Sequence, residues 1–213
     1  MPLITGMRMK REEFLQRWEA IPELKKAELI EGIVFVSSPI GLTHGQYDGQ
    51  IHLWLGTYAA YTPGVAFGPN VTCYMLESAP QPDAFLRILP EHGGSTQDQS
   101  NFLHGAPELI VEISESSTTY DFGPKLALYQ RAGVREYITL DTFSKQVAWR
   151  VLTGGSYRRR SPGTDWIYRS KAFPGLWLDP RHIWSCEGRA MLAVLQKGMD
   201  SDEHRAFVVR MNK

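Results

Sequence analysis

The chain has 213 residues, of which 43% are hydrophobic and 11% aromatic, and equal numbers of basic and acidic side chains give a formal net charge of zero. This length and composition can bury a sizeable core and favour a single domain over residues 1–213. A net charge of zero excludes a global field that would recruit nucleic acid or an acidic membrane, so any basic binding surface has to be local.

The cysteines and the N-terminus indicate the compartment. Cys73 and Cys186 lie far apart without CxxC spacing, which favours free thiols in a reducing compartment over a disulfide framework. The N-terminus has no apolar signal core, and no apolar run approaches the ~18 residues that a bilayer span needs. We therefore expect a cytoplasmic protein with no membrane partner.

Hydrophobic spacing and turn residues predict the elements of the N-terminal half. The predicted elements are a helix at 10–20, two short strands within 27–36, a helix at 43–61, an interrupted strand at 65–76 and a strand at 82–89. The polar stretch that follows, residues 90–105, is predicted as a mobile loop and is the best candidate for a lid.

Residues 107–114 form an apolar run of strand length that carries one acid, Glu112, beyond the Glu108 at its start. A helix at 119–132 and a strand at 135–141 follow at once, which predicts a βαβ unit with parallel strands. A carboxylate among apolar neighbours loses hydration that hydrogen bonds, a counter-charge or a metal must replace. Glu112 therefore needs a partner.

Asp83 is the first candidate for a residue beside Glu112. If strands 82–89 and 107–114 are antiparallel neighbours, pairing their ends symmetrically places Asp83 opposite Glu112, with Cβ atoms ~5 Å apart. Two carboxylates roughly 4 Å apart at an effective dielectric of about 20 repel by about 4 kcal/mol. The pair should therefore share a proton or bind a cation.

The C-terminal part predicts a β-hairpin with strands 145–152 and 156–160, which residues 166–170 can extend. From residue 145 to residue 171 the chain has seven basic residues and one acid, including Arg158, Arg159 and Arg160. Beyond it the sequence predicts a turn and strand at 173–178, a short helix at 188–197 and a fraying tail at 198–213.

The candidate site combines oxygen donors with one lysine. Its members are Glu28, Asp83, Glu112 and Lys125, with His44, Gln81, Ser114 and Asp121 around them. Oxygen ligands without a Cys/His cluster favour Mg²⁺ or Mn²⁺ over zinc. Such ions stabilise the attacking and leaving oxygens of a phosphodiester, and a nearby lysine can orient water. This pattern indicates phosphate chemistry.

Six motifs in order resemble one known family. They are AELIEG at 27–32, Ser38-Pro39 followed by His44, QPD at 81–83, PELIVEIS at 107–114, Asp121-x3-Lys125-x3-Tyr129-x3-Gly133-Val134-x-Glu136-Tyr137, and FPGL at 173–176. The chain resembles the Uma-type family of endonucleases, which belongs to the PD-(D/E)XK restriction-endonuclease-like superfamily. The resemblance covers about residues 25–185. The helices at 10–20 and 188–197 are elaborations of that core.

The resemblance implies a fold and a catalytic set. The fold is α/β, a restriction-endonuclease-like core whose mixed central β-sheet is flanked by helices, with an added C-terminal β-hairpin. In the superfamily an Asp and a Glu on adjacent strands bind the metal and a Lys activates water, which implies Asp83, Glu112 and Lys125 here. Glu28 is the further acid of the site, and we expect the main-chain carbonyl of Ile113 to assist in binding Mg²⁺ or Mn²⁺.

We therefore expect a divalent-metal-dependent endonuclease that hydrolyses phosphodiester bonds of nucleic acid, with DNA as the first candidate substrate. Substrate contacts are expected from His44, Gln81, Ser114, Arg158, Arg159 and Arg160. A homodimer is the simplest way to cut both strands of a duplex, since a two-fold axis relates two sites.

The main alternative is a non-catalytic nucleic-acid-binding or regulatory module that retains the fold. Zero net charge motivates it, as do Ile33 and Glu115, where the family usually has Glu and Pro. Singly, Lys125 also reads as a helix partner of Asp121 at i+4, and the three arginines as a solvated edge strand. A glycosidase would use the paired acids but not Lys125.

Overall fold

The computed structural model of the chain describes residues 2–114 and 118–212, with only the backbone of residues 118–122. Its helices are α1 (Arg11–Glu19), α2 (Leu42–Ala60), α3 (Thr118–Ala132), α4 (Pro180–Trp184), α5 (Gly188–Met199) and α6 (Asp202–Met211). Its strands are β1 (Ala27–Ile30), β2 (Ile33–Val36), β3 (Val65–Pro69), β4 (Cys73–Tyr74), β5 (Ala84–Ile88), β6 (Gln97–Gln99), β7 (Phe102–His104), β8 (Leu109–Ser114), β9 (Glu136–Asp141), β10 (Gln146–Thr153), β11 (Ser156–Arg160), β12 (Tyr168–Arg169) and β13 (Trp177–Leu178). Within these described residues, no helix combines the length and the apolar character that crossing a membrane requires.

A six-stranded mixed sheet lies at the centre, in the order β11-β10-β9-β8-β5-β3. β8 and β9 are parallel because α3 crosses over between them, and the other neighbours in this sheet are antiparallel. The predicted α/β class, the mixed central sheet and the β10–β11 hairpin are confirmed.

Side chains of β8 alternate between the two faces of this sheet. Leu109, Val111 and Ile113 pack in the core cluster that contains α2, whereas Ile110 packs in the cluster that contains side chains of α3. Glu112 follows Ile110 by two residues and therefore points to the α3 face. This alternation is what places one acid of an otherwise apolar strand beneath a helix.

The pairing of β5 with β8 confirms the predicted register. Ala84 lies opposite Val111 and Phe85 opposite Ile110. Continuing this register by one residue sets Asp83, which immediately precedes β5, against Glu112. The two acids therefore lie side by side at the same end of these neighbouring strands, where β5 begins and β8 ends.

The prediction that residues 90–105 form a lid is wrong. They fold into a 3₁₀ turn (Pro90–His92) and into β6 and β7, which form a small three-stranded sheet with β4. They join the C-terminal end of β5 to the N-terminal end of β8, so they lie at the end of these strands opposite to Asp83 and Glu112. The connection between two antiparallel strands lies at one end of the pair. For β5 and β8, that end is the one away from Asp83 and Glu112.

Two predictions for the C-terminal part are also wrong. Residues 168–169 form β12, which pairs with β13 and does not extend the β10–β11 hairpin. The tail does not fray, because α6 begins at the N-cap Ser201 and buries Phe207 and Met211 at i, i+4 spacing. In addition, Nε2 of His204 in α6 lies 3.0 Å from Oγ1 of Thr62.

Glu136 is a buried carboxylate that joins β9 to the turn before β13. Its Oε1 accepts hydrogen bonds from the main-chain N–H of Lys171 (2.6 Å) and of Ala172 (3.2 Å). Its Oε2 accepts from Ser170 Oγ (2.8 Å) and from Trp149 Nε1 (3.1 Å). Burial raises the pKa of Glu136, although these four donors oppose the shift. These hydrogen bonds give Glu136 a structural role, which accounts for the acid of the Glu136-Tyr137 motif without a part in catalysis.

Replacing Glu136 by Gln should lower the free energy of unfolding by about 2–4 kcal/mol, because an amide NH₂ then faces buried donors that it cannot accept from. Urea unfolding measures this change. The exposed Glu91→Gln control should change the same quantity by less than about 0.5 kcal/mol. An E136Q protein as stable as the wild type would contradict the assignment.

Candidate functional site

A cavity of about 320 Å³ opens where β5 begins and β8 ends. Its lining includes all four predicted catalytic residues, Glu28, Asp83, Glu112 and Lys125, and also Lys26. The four side chains belong to four different segments of the chain and are all buried. The structure therefore brings together the set that the sequence predicts.

Helix α3 places two donors on Glu112. Lys125 Nζ lies 3.0 Å from both carboxylate oxygens of Glu112, and the hydroxyl of Tyr129 donates to Oε1 at 2.7 Å. Lys125 and Tyr129 are one helical turn apart, so they face the same side of α3. The same ammonium lies 2.9 Å from Oε1 of Glu28. Lys125 thus bridges two acids of the site.

Gln81 fixes the second of these acids. The main-chain N–H of Gln81 donates to Glu28 Oε1 at 2.7 Å, and its side-chain amide donates to Thr72 Oγ1 at 2.8 Å. Gln81 is buried, and the described residues that line the cavity do not include it. Its position is that of a support for Glu28, whereas the sequence predicts a contact with substrate.

Asp83 is held by one backbone and one charged donor. Its Oδ2 accepts a hydrogen bond from the N–H of Ile113 at 2.8 Å, and its Oδ1 accepts from Lys26 Nζ at 3.0 Å. Lys26 also donates to Asn70 Oδ1 at 2.9 Å. Sequence reasoning missed Lys26, although a signal exists: Lys26 precedes Glu28 by two residues, and this spacing places both on one face of a strand.

The charges of the cluster shift the pKa values of its members. Burial raises the pKa of Glu112 to about 7, and repulsion from Asp83 and Glu28 adds to the effect of burial. Burial opposes ionisation of Asp83 as well, but the ammonium groups of Lys26 and Lys125 lower its pKa below the usual value. The expected rise at one member of the acid pair is confirmed for Glu112, with burial as its first cause.

The two lysines respond to the acids in the opposite direction. Burial alone would lower their pKa values, but Glu112 and Glu28 raise the pKa of Lys125 well above normal, and Asp83 raises that of Lys26. Both ammonium groups therefore stay charged. Three carboxylates against two ammonium groups leave the ionised cluster with one negative charge, which attracts a cation.

The pKa of Glu112 predicts how stability depends on pH. The group titrates at about 7 in the folded state and near 4.5 when unfolded, so the folded state binds the proton more tightly. The contribution of Glu112 is therefore most favourable at low pH and is lost as the pH rises through about 7. Between pH 5 and 8, urea unfolding in EDTA should show a loss of about 2–3 kcal/mol. Glu112→Gln should remove the part of this loss that Glu112 causes, and an unchanged pH slope in that variant would contradict the assignment.

Of the remaining predicted residues, His44 and Ser114 lie beside the site. His44, in the first turn of α2, and Ile40 line the mouth of the cavity. Ser114 ends β8, and its main-chain carbonyl accepts hydrogen bonds from Thr142. The side chain of Asp121 and all of Glu115 lie outside the described residues.

Strand β11 carries the three arginines at the far edge of the central sheet, separated from β8 by β9 and β10. Three strand spacings amount to about 14 Å. Successive cross-strand partners form a row on the face of Glu112, which runs through Ile110, Tyr137, Arg150 and Arg159. Arg158 and Arg160 point to the other face. One of the three arginines therefore shares a face with the site, and none belongs to the described lining of the cavity.

Two comparisons place the chain among known proteins. Residues 11–181 match the model of a family described as "Uma2: Putative restriction endonuclease". The chain belongs to the Uma2 family. Among solved structures it is similar to "a putative nuclease belonging to DUF820" from Anabaena variabilis, with 15% identity and a TM-score of 0.66 over 83% of this chain and 98% of that chain. At this identity the likeness shows the fold. No curated protein matches the chain.

Membership of the Uma2 family raises the question of whether this site fits a divalent cation. Among the described residues, no group of three or more His, Cys, Asp or Glu side chains is arranged to hold a metal ion. The oxygens of Asp83 and Glu112 are instead paired with the ammonium groups of Lys26 and Lys125. An ion between the two acids would displace these ammonium groups.

The donor chemistry nevertheless suits Mg²⁺ or Mn²⁺. Asp83 and Glu112 provide carboxylate oxygens at the same edge of the sheet, and the cluster carries an excess negative charge. The N–H and C=O of one strand residue point to the same side. Since the N–H of Ile113 faces Asp83, its carbonyl is directed to that side as well. The residues therefore fit a hard divalent cation once the lysines move.

Proposed function

We propose that this member of the Uma2 family is a divalent-metal-dependent endonuclease that hydrolyses phosphodiester bonds of nucleic acid. The observation that carries the proposal is the buried arrangement of Asp83 and Glu112 on adjacent strands with Lys125 against Glu112. Carboxylate pairs of this kind repel until a cation is bound, and phosphoryl chemistry uses that cation. Family membership supports the same reaction class.

In this proposal Asp83, Glu112 and the carbonyl of Ile113 hold Mg²⁺ or Mn²⁺, and Glu28 completes the acidic cluster. The bound ion supplies charge stabilisation for the phosphate oxygens and lowers the pKa of water. Tyr129 fixes the orientation of the Glu112 carboxylate through its 2.7 Å hydrogen bond. The N–H of Gln81 fixes Glu28 in the same way.

Lys125 acts as a hydrogen-bond donor. The neighbouring carboxylates raise its pKa, so it remains an ammonium group and cannot serve as a general base near neutral pH. An ammonium group in this place positions the attacking water and offsets the charge that develops on the phosphate. Lys26, once displaced from Asp83, offers a second ammonium group to a phosphate oxygen in the same cavity.

DNA is the first candidate substrate, cut by a homodimer in the cytoplasm. His44 at the mouth of the cavity and Arg159 on the face of Glu112 are the candidate phosphate contacts outside the metal site. A two-fold axis would give each strand of a duplex its own site. Sedimentation velocity tests the dimer independently of cleavage.

The second candidate function is a nucleic-acid-binding module without turnover. The observation that favours it is that Lys26 and Lys125 form ion pairs with the acids and so balance two of their three negative charges within the chain. Such internal counter-charges would let the fold persist after the loss of chemistry.

Metal titration and a cleavage assay separate the two functions. Calorimetry with MgCl₂ and MnCl₂ should detect binding to the wild-type protein, and labelled single-stranded and duplex oligonucleotides should be cut with either ion but not in EDTA. Binding of oligonucleotide without metal binding or cleavage would favour the module and contradict the nuclease.

Arg159 should contribute to the salt dependence of nucleic-acid binding. Each phosphate contact releases counterions, so Arg159→Ala should reduce the slope of log affinity against log salt by about one unit. Arg158→Ala is the matched control, because it removes the neighbouring charge from the opposite face of the same strand and should leave the slope unchanged. Fluorescence anisotropy over a range of salt concentrations measures both slopes, and equal slopes in the two variants would show that β11 is only a solvated edge.

A further inference from the structure

Phe143 lies in the turn between β9 and β10 and is 92% exposed, the highest exposure among the large hydrophobic side chains that the structure describes. Neither the candidate site nor the core uses it. An aromatic ring in this position does not contribute to packing of the core, so its exposure indicates a role in binding.

The turn that carries Phe143 is held in a fixed shape. Asp141 Oδ1 accepts hydrogen bonds from the N–H of Phe143 (3.0 Å) and of Ser144 (3.1 Å), and its Oδ2 accepts from Ser144 Oγ at 2.6 Å. These bonds lower the pKa of Asp141, so the carboxylate stays ionised and keeps accepting. The ring is therefore presented to solvent by an ordered turn.

The same turn is tied to the edge of the candidate site. The N–H and the hydroxyl of Thr142 both donate to the main-chain carbonyl of Ser114 at 3.0 Å. Ser114 follows Glu112 by two residues, or about 7 Å along the strand, and β9 is the next strand at about 4.8 Å. Phe143 then lies on the order of 10–15 Å from Glu112, a distance of a few nucleotides along a nucleic-acid strand.

The neighbours of Phe143 indicate what covers it. Ser144, Lys145 and Gln146 are exposed and polar, so the ring is a single aromatic group in polar surroundings. A protein-binding patch would be a contiguous apolar surface of several hundred Å². A nucleobase needs only one aromatic face, and its phosphate suits the adjacent ammonium group of Lys145.

We propose that Phe143 stacks on an unpaired base of the nucleic-acid strand bound at Glu112, a few nucleotides from the scissile phosphate. This inference rests on the proposed nuclease function, since it needs the strand in the cavity. A base in a duplex is already stacked on its neighbours, so the preferred substrate is nucleic acid that is single-stranded or locally unpaired on this side of the site.

The test compares binding of a labelled single-stranded oligonucleotide with that of the matching duplex by fluorescence anisotropy, with Ca²⁺ in place of Mg²⁺. Phe143→Ala should weaken single-strand binding by about 5- to 100-fold and duplex binding by less than about two-fold. Phe143→Tyr keeps the stacking face and should bind as the wild type does. Tyr61→Ala is the matched control. Tyr61 is 66% exposed and caps the far end of α2, about 28 Å from the end that carries His44.

A 2-aminopurine base moved along the single strand reports stacking directly. One position should be quenched by the wild-type protein and by Phe143→Tyr but not by Phe143→Ala. Equal loss of single-strand and duplex binding in Phe143→Ala would overturn the stacking proposal, as would wild-type binding by that variant. If the wild type binds no oligonucleotide, the proposed nuclease function itself fails. Self-association that Phe143→Ala abolishes would instead identify the ring as a protein contact and overturn the proposal.

Discussion

Replacing Asp83 by Asn or Glu112 by Gln should weaken binding of Mg²⁺ or Mn²⁺ by more than about 100-fold and abolish cleavage. In the proposed site each change removes a carboxylate ligand and also brings the net charge of the ionised cluster from minus one to zero, because the two ammonium groups of Lys26 and Lys125 remain. Loss of groups that only support a ligand already costs 10–100-fold in affinity, so loss of the ligand itself costs more. Calorimetry gives the metal affinity, and an oligonucleotide cleavage assay gives the rate.

The control for this pair is Glu203→Gln, which removes one exposed acid outside the cavity and should leave both quantities unchanged. Circular dichroism must show that each variant is folded. Either carboxylate variant binding the metal with wild-type affinity while folded would contradict the assignment of the ion to this site.

Replacing Lys125 by Ala should slow cleavage by about 100-fold or more while leaving metal binding intact. Lys125 is not a ligand, and its ammonium group competes with the ion for Glu112, so metal affinity should be equal to or higher than that of the wild type. Without the ammonium group, nothing in its place positions the attacking water or offsets the developing charge. Single-turnover kinetics at saturating metal separate this effect from binding.

Lys26→Met is the matched comparison, because it removes the other ammonium group of the same cluster. Its metal affinity should also rise, since Lys26 competes for Asp83, but its single-turnover rate should fall less than that of Lys125→Ala. A Lys125→Ala protein that cleaves at the wild-type rate would reduce Lys125 to a structural counter-charge for Glu28 and Glu112.

The sequence predicts that Asp83 and Glu112 come together because the geometry of the strands determines their positions. A single acid in an apolar strand, Glu112, has to face a compensating group, and the lengths of the two strands determine its register with Asp83. The position of Lys125 follows from the helix that the βαβ unit requires. These inferences depend on the alternation of side chains along strands and on the order of strands and helices, both of which can be read from the sequence.

The parts that sequence reasoning missed depend on docking between distant segments. The spacing of Lys26 and Glu28 indicates a shared strand face, but the contact of Lys26 with Asp83 also needs β1 to pair with the segment before β5, as it does at Leu29 and Ala79. Residues 97–104 form strands although they are largely polar, since the main chain of β7 pairs with both β4 and β6. The helix α6 was missed because its apolar stripe is short and follows a polar stretch.

The two lysines of the cavity determine how the protein behaves when divalent ions are scarce. Because Lys26 and Lys125 balance two of the three charges of Glu28, Asp83 and Glu112, we expect the chain to fold without an ion. A chelator should then leave the protein folded. If the chain is the metal-dependent nuclease proposed above, its active fraction would follow the free concentration of the ion by simple mass action, so cellular magnesium and manganese levels would regulate cleavage reversibly.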